Sequence, residues 1–167
     1  MIIVETGAGI TGANSYASLE QANAYYAVRM NSDWTDEDTA TREAALVRAT
    51  DYIDSTYSFG GTPLYPEQGL ALPIAGVAGL PRAVSNATLM LALYALKGPL
   101  SAPSERGVSK TTKKLEGVGE LTTEFDPAPA GDSYPAITAL LSSVAKRRDD
   151  PGAGEGVGAL TMGRLTR

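Results

Sequence analysis

Three short stretches carry residue types that could do chemistry. Gly7-Ala8-Gly9-Ile10-Thr11-Gly12 follows an extended Ile2-Ile3-Val4 and spells GxGxxG. In a dinucleotide site the backbone N–H groups of such a loop hold a pyrophosphate at the start of a helix. That use needs a helix directly after the loop, then a second parallel strand bearing an acidic residue. Here the first helix signal comes only at Ser18 and a second helix follows it, so the stretch reads as a flexible loop. Asp33, Asp36, Glu37 and Asp38 could gather a hard cation. They lack the EF-hand spacing, with its central Gly and distant Glu, and suit a helix start, where the dipole favours carboxylates. Ser143-Val144-Ala145-Lys146 matches SxxK without the SDN and KTG elements that accompany it in serine acyl-transfer enzymes.

What the chain lacks narrows the chemistry further. It has no histidine and no cysteine. The commonest general base, the commonest metal ligand, thiolate nucleophiles and disulfides are therefore all absent. No nucleophile–base–orienter set is visible, so the expectation is a protein that is not an enzyme, with no cofactor and no metal. Lys110, Lys113 and Lys114, with Lys146, Arg147 and Arg148, could form a basic surface for single-stranded nucleic acid. Such surfaces interleave aromatics for base stacking. The one aromatic close in sequence to the lysines is Phe125, which the alternation places on a buried side. Tyr16, Tyr25, Tyr26, Tyr52, Tyr57 and Tyr94 fall at helical spacing and read as core and interface anchors. A net charge of −5 opposes broad electrostatic capture of nucleic acid.

The elements that position these residues follow from periodicity and punctuation. The fold class expected is mainly α: a small bundle of about four helices with a projecting β-hairpin and long loops. Ser18-Leu19-Glu20-Gln21 has the capping-box form, and Leu19, Ala22, Tyr26 and Met30 make one stripe of a first helix. Asn31-Ser32-Asp33 breaks it. Thr35-Asp36-Glu37-Asp38 opens a second, with Leu46, Ala49, Ile53 and Tyr57 inward and Gly60-Gly61 as its stop. Residues 58–80 hold Gly and Pro too often for helix or central strand and read as one long loop. A third helix from about Arg82 to Lys97, behind Pro81, is apolar nearly all round. It belongs at the centre of a core or against neighbouring subunits. Residues 107–126 alternate on either side of Glu116-Gly117-Val118-Gly119, as a β-hairpin does. Lys110, Lys113, Lys114, Glu116 and Glu120 are its candidate inter-subunit contacts. Ser133 caps a fourth helix with Pro135 in its first turn and Lys146-Arg147-Arg148 at its C-terminal dipole.

At 167 residues the chain suits one domain, taken as 1–148, with a Gly-rich tail over 149–167. Within that tail Leu160, Met162, Arg164 and Leu165 look like a short docking segment. No apolar run reaches membrane-spanning length, and MIIVETGAGITG lacks the flank and core of a signal peptide. The expectation is a soluble protein made in the cytoplasm, with no membrane partner.

Several segments together resemble a family of small phage proteins. They are Ala13-Asn14-Ser15-Tyr16 with Ser18-Leu19 and Ala24-Tyr25-Tyr26, and the run from Glu43 to Asp54 (EAALVRATDYID) followed by Tyr57 and Phe59. The Ala71-Leu72-Pro73 turn and the Pro81-Arg82-Ala83-Val84 helix start continue the match. These proteins, often labelled DnaT-like single-stranded-DNA-binding proteins, look like tailed-phage head–tail connectors, or neck adaptors. The resemblance covers about residues 1–145. It implies a connector-adaptor-like bundle assembled as a dodecameric ring in the virion neck. That ring binds the portal protein above and a downstream neck or tail-completion protein below. It continues the channel through which genomic DNA passes without sequence-specific contact. Leu160, Met162, Arg164 and Leu165 would then clasp the portal. The alternative the same residues leave open is a single-stranded-DNA-binding protein of DnaT-like type.

Overall fold

The computed structural model describes residues 1–100, 110–115, 119–124 and 132–149. The chain is mainly helical, with one small antiparallel hairpin. Helix α1 spans Leu19–Ala27 and opens on the full capping box: Gln21 N–H donates to Ser18 Oγ, and the Gln21 side chain accepts from Ser18 N–H. Two backbone donors that a helix start would otherwise leave open are thereby satisfied. Helix α1 ends at Ala27, a turn earlier than its apolar stripe suggests. Met30 takes a positive φ of 50° and is 92% exposed, so it is not part of the buried face.

The break expected at Asn31-Ser32-Asp33 is itself a short helix, α2, at Ser32–Thr35, with Asn31 as its cap. Its purpose is Trp34, which is fully buried, stacks on Tyr26 at 4.7 Å and donates its indole N–H to Asn23. Helix α3 then runs Thr39–Thr56. It starts later than Thr35, because Asp38 serves as N-cap, accepting from Thr41 N–H at 2.8 Å. Of the carboxylate cluster, Asp38 caps α3, Asp33 lies in the first turn of α2 and pairs with Lys97, and Asp36 ends α2; the described residues contain no group of acidic side chains arranged to hold a metal.

Strand β1 (Tyr57–Ser58) follows α3 directly, and then the long loop, which includes a cis Leu72–Pro73 bond and buries Leu72. Helix α4 (Arg82–Lys97) is the centre of the core, with Pro81 at its N-cap. It packs against α3 on one side and helix α5 (Pro135–Leu141) on another. Val84, Ala87, Leu89, Leu91, Ala92 and Ala95 are buried within this one chain, and Ala83, Met90, Leu93 and Leu96 pack against them. Of the two uses open to a helix apolar all round, the structure selects the intramolecular one. Tyr94 alone among its large apolar residues stays open, 50% exposed.

The hairpin is present as strands β2 (Lys110–Leu115) and β3 (Gly119–Glu124). Its register sets Lys110 opposite Glu124, Thr112 opposite Thr122 and Lys114 opposite Glu120. Among the described strands it pairs only with itself. The last helix differs from expectation at both ends. Its cap position is Tyr134, not Ser133, and it stops at Leu141. Lys146-Arg147 therefore does not complement a helix dipole. It forms strand β4, antiparallel to β1, with Tyr57 opposite Arg147, and Arg148 N–H donates to Thr56 at 2.9 Å. The open edge of Tyr57–Ser58 offers this segment backbone partners that another helical turn could not supply. Among the described residues no helix is long and apolar enough to cross a membrane.

Candidate nucleic-acid interface

Two polar clusters both tie into the C-terminal part of α3, one through Asp54 and the other through Tyr52, and their geometry separates scaffold from site. The first is built on the glycine motif. The N-terminal segment turns back on itself, and the Glu5 carboxylate, 1% exposed, fills the concavity of the loop. Gly7, Ala8 and Gly9 N–H donate to its Oε1 at 2.8, 2.8 and 3.0 Å, and Ile10 N–H donates to Oε2 at 2.7 Å. A run of backbone donors of this kind is an anion nest. The GxGxxG stretch does make one, but the chain's own carboxylate already occupies it, and no helix follows. Gly7, at φ 95°, lies so near the long loop that a Cβ there would come within 2.5 Å of Gly79 Cα. The nest thus clamps the N-terminal segment to residues 69–80.

Beside it, Tyr16 donates its hydroxyl to Asp54 Oδ1 at 2.5 Å and accepts from Leu72 N–H, while Asp54 Oδ2 accepts from Ala71 N–H at 2.9 Å. Burial holds both groups toward their neutral forms, pushing the Tyr16 phenol and the Asp54 carboxyl upward. Nothing here is open to a ligand: the two side chains bind each other and the backbone N–H groups of Ala71 and Leu72. This is a latch for the long loop.

The second cluster forms where α3, α4, α5 and β4 converge. Tyr94 from α4, Tyr134 at the head of α5 and Tyr52 from α3 make a continuous aromatic row. Ring centroids are 5.1 Å apart for Tyr94–Tyr134 and 5.4 Å for Tyr52–Tyr134. Tyr94 is the open end, and Tyr52 leads to an open pocket of about 320 Å3 that it lines with Ser133, Arg147, Arg148 and Asp149. Partial burial raises the Tyr52 and Tyr134 phenols above their ordinary value. Leu100 and Asp132, the described residues on either side of 101–131, both lie at this corner. Leu100 lines the pocket and accepts from the Tyr134 hydroxyl, and Asp132 binds Arg147.

Arg147 is the pivot. Its Nη1 donates to Asp132, while Nε and Nη2 donate to the two oxygens of Asp149 at 2.8 and 2.6 Å. The hydrogen bonds from Arg147 hold the Asp149 carboxyl below its ordinary range. The same bonds, aided by the charges of both carboxylates, push the Arg147 guanidinium upward. Lys146 and Arg148 beside it are exposed.

Aromatic faces beside guanidinium groups form a surface of the type single-stranded nucleic acid uses. Sequence reading missed it because Tyr52, Tyr94 and Tyr134 are scattered over 82 positions and only the packing of α3, α4 and α5 unites them. The signal available was that Tyr94 lies on the face of α4 least needed by the core. The hairpin's role among the expected site residues is smaller. The register opposes two of its three lysines to glutamates, and Glu116 lies outside the described residues, as do Leu160, Met162, Arg164 and Leu165. Ser143 and Lys146 of the SxxK match lie beyond the end of α5, Ser143 in a turn and Lys146 in β4.

The chain belongs to the family described as "Putative DnaT-like ssDNA binding protein", whose model matches residues 1–165. The match runs through the tail, further than the 1–145 of the sequence resemblance. No curated protein and no solved structure matches the chain.

Proposed function

We propose that this protein binds single-stranded DNA, weakly and without sequence preference, at the corner formed by Tyr52, Tyr94, Tyr134, Arg147 and Arg148. The observation that carries the reading is the aromatic row ending in a pocket lined by two arginines, and membership of a family so described supports it. Bases would stack on Tyr94 and Tyr134 while the backbone follows the arginines. The role is binding and not catalysis. Photocrosslinking to an oligonucleotide carrying 5-iodouracil, with peptide mapping, tests it. Crosslinks should fall on the peptides holding Tyr94 or Tyr134, and a map confined to other peptides overturns it.

A second reading is favoured by a different observation, the compensation of charge. Lys110 and Lys114 stand opposite glutamates, Arg147 is held by two aspartates, and the chain is acidic overall. Such a surface suits a channel wall past which DNA slides. On this reading the chain is a structural virion protein, a head–tail adaptor in a dodecameric ring between portal and downstream neck protein. Leu160, Met162, Arg164 and Leu165 then dock on the portal, and the hairpin meets neighbouring subunits. Purified tailed-phage particles containing the polypeptide at the head–tail junction would support it. Particles lacking the polypeptide would dispose of it.

A further inference from the structure

The two carboxylates on Arg147 do different jobs. Asp132, with a side chain 25% exposed, grips Nη1 from within the fold and fixes the direction of the guanidinium. Asp149 is 62% exposed and lies against the Nε–Nη2 edge at the mouth of the pocket. That edge presents two parallel N–H donors, the geometry a phosphate takes as readily as a carboxylate. The Arg147 side chain is 17% exposed, so it is already oriented and loses little freedom when it exchanges one anion for another. Asp149 contributes no other side-chain hydrogen bond among the described residues.

We propose that Asp149 is a displaceable cover on Arg147, standing in for a phosphodiester and yielding its place when a single strand runs along the tyrosine row. The inference rests on the single-stranded-DNA reading and adds to it the residue that sets affinity. With Asp149 in place the corner binds loosely. With it displaced, one arginine fork engages one phosphate. The low affinity is then a built-in property of the fold and not a shortage of cations.

The test is fluorescence anisotropy of a labelled oligothymidylate with the full chain over a salt series. Asp149→Asn should tighten binding on the order of fivefold at low salt, the scale of one exposed ion pair. It should also steepen the log–log salt slope by about 0.7, as one added phosphate contact on a single strand requires. Asp36→Asn makes the same charge change near the start of α3 and should leave the slope unchanged. Adding Arg147→Ala to Asp149→Asn should erase the gain. If the wild type binds and Asp149→Asn matches it in affinity and slope, the inference fails and the binding site stands. If neither folded protein binds at low salt, the binding reading itself is wrong and the inference falls with it.

Discussion

Glu5 and Asp149 are both carboxylates held by several donors, and the fold treats them in opposite ways. Glu5 is sealed inside a nest of backbone N–H groups, with no route for an external anion to compete. Asp149 lies in solvent on one edge of a guanidinium, next to an aromatic row and an open pocket. The first is scaffold and the second is positioned to exchange. Donor type and number do not distinguish them, because a glycine-rich nest looks more like a ligand site than a surface ion pair does. Access distinguishes them.

The largest effect expected is at the sealed end. Glu5→Ala leaves four converging N–H groups without their acceptor and should cost about 4 kcal/mol, lowering Tm on the order of 10 °C. The buried Trp34 reports the melt. A loss under about 1 kcal/mol would mean that water replaces the carboxylate freely, and the contrast with Asp149 would collapse.

At the open end, Tyr94→Ala should weaken oligonucleotide binding by about 2 kcal/mol, roughly thirtyfold, while leaving Tm nearly unchanged. A large Tm loss with unaltered binding would return Tyr94 to the core. Tyr16→Phe is smaller, about 1 kcal/mol of stability with DNA binding untouched, since it strips the latch of one buried hydroxyl.

The Asp54 carboxyl gives the latch a pH signature. Burial raises its folded-state pKa, so the folded chain keeps this proton to higher pH than the unfolded chain does. Its contribution to stability is full below the ordinary aspartate value and is lost as pH rises through the raised one. Asp54→Asn should flatten the stability curve from about pH 4 upward in urea melts. An unchanged slope would remove Asp54 as its source. Smallest of all, replacing Lys110 and Lys114 by Gln should change DNA affinity by less than about twofold, because each is paired in register with a glutamate. A tenfold loss would shift the site onto the hairpin.

Much of the fold was legible because it is local. The capping box at Ser18, the apolar run of α4 and the alternation around 116–119 each declare an element from a few neighbouring residues. What was illegible depends on tertiary competition. Asn31-Ser32-Asp33 reads as a break, yet Ser32–Thr35 folds into a helical turn because Trp34 gains a buried place on Tyr26. Lys146-Arg147 reads as a helix end, yet it pairs with Tyr57–Ser58, far away in sequence. The glycine motif reads as a flexible loop, and its partner Glu5 is invisible in the sequence, since a single acid two residues before a loop carries no pattern. The tyrosine corner was hidden for the same reason, its members belonging to three helices.

The central claim is that a tyrosine row, open at Tyr94, and one coverable arginine make a weak single-strand site. The most direct check is the salt dependence of oligothymidylate binding by the unaltered chain. The account predicts measurable affinity at low ionic strength, with a log–log slope of about −0.7 to −2, one to three phosphates' worth. A folded protein that shows no binding in dilute salt, or binding indifferent to salt, contradicts it.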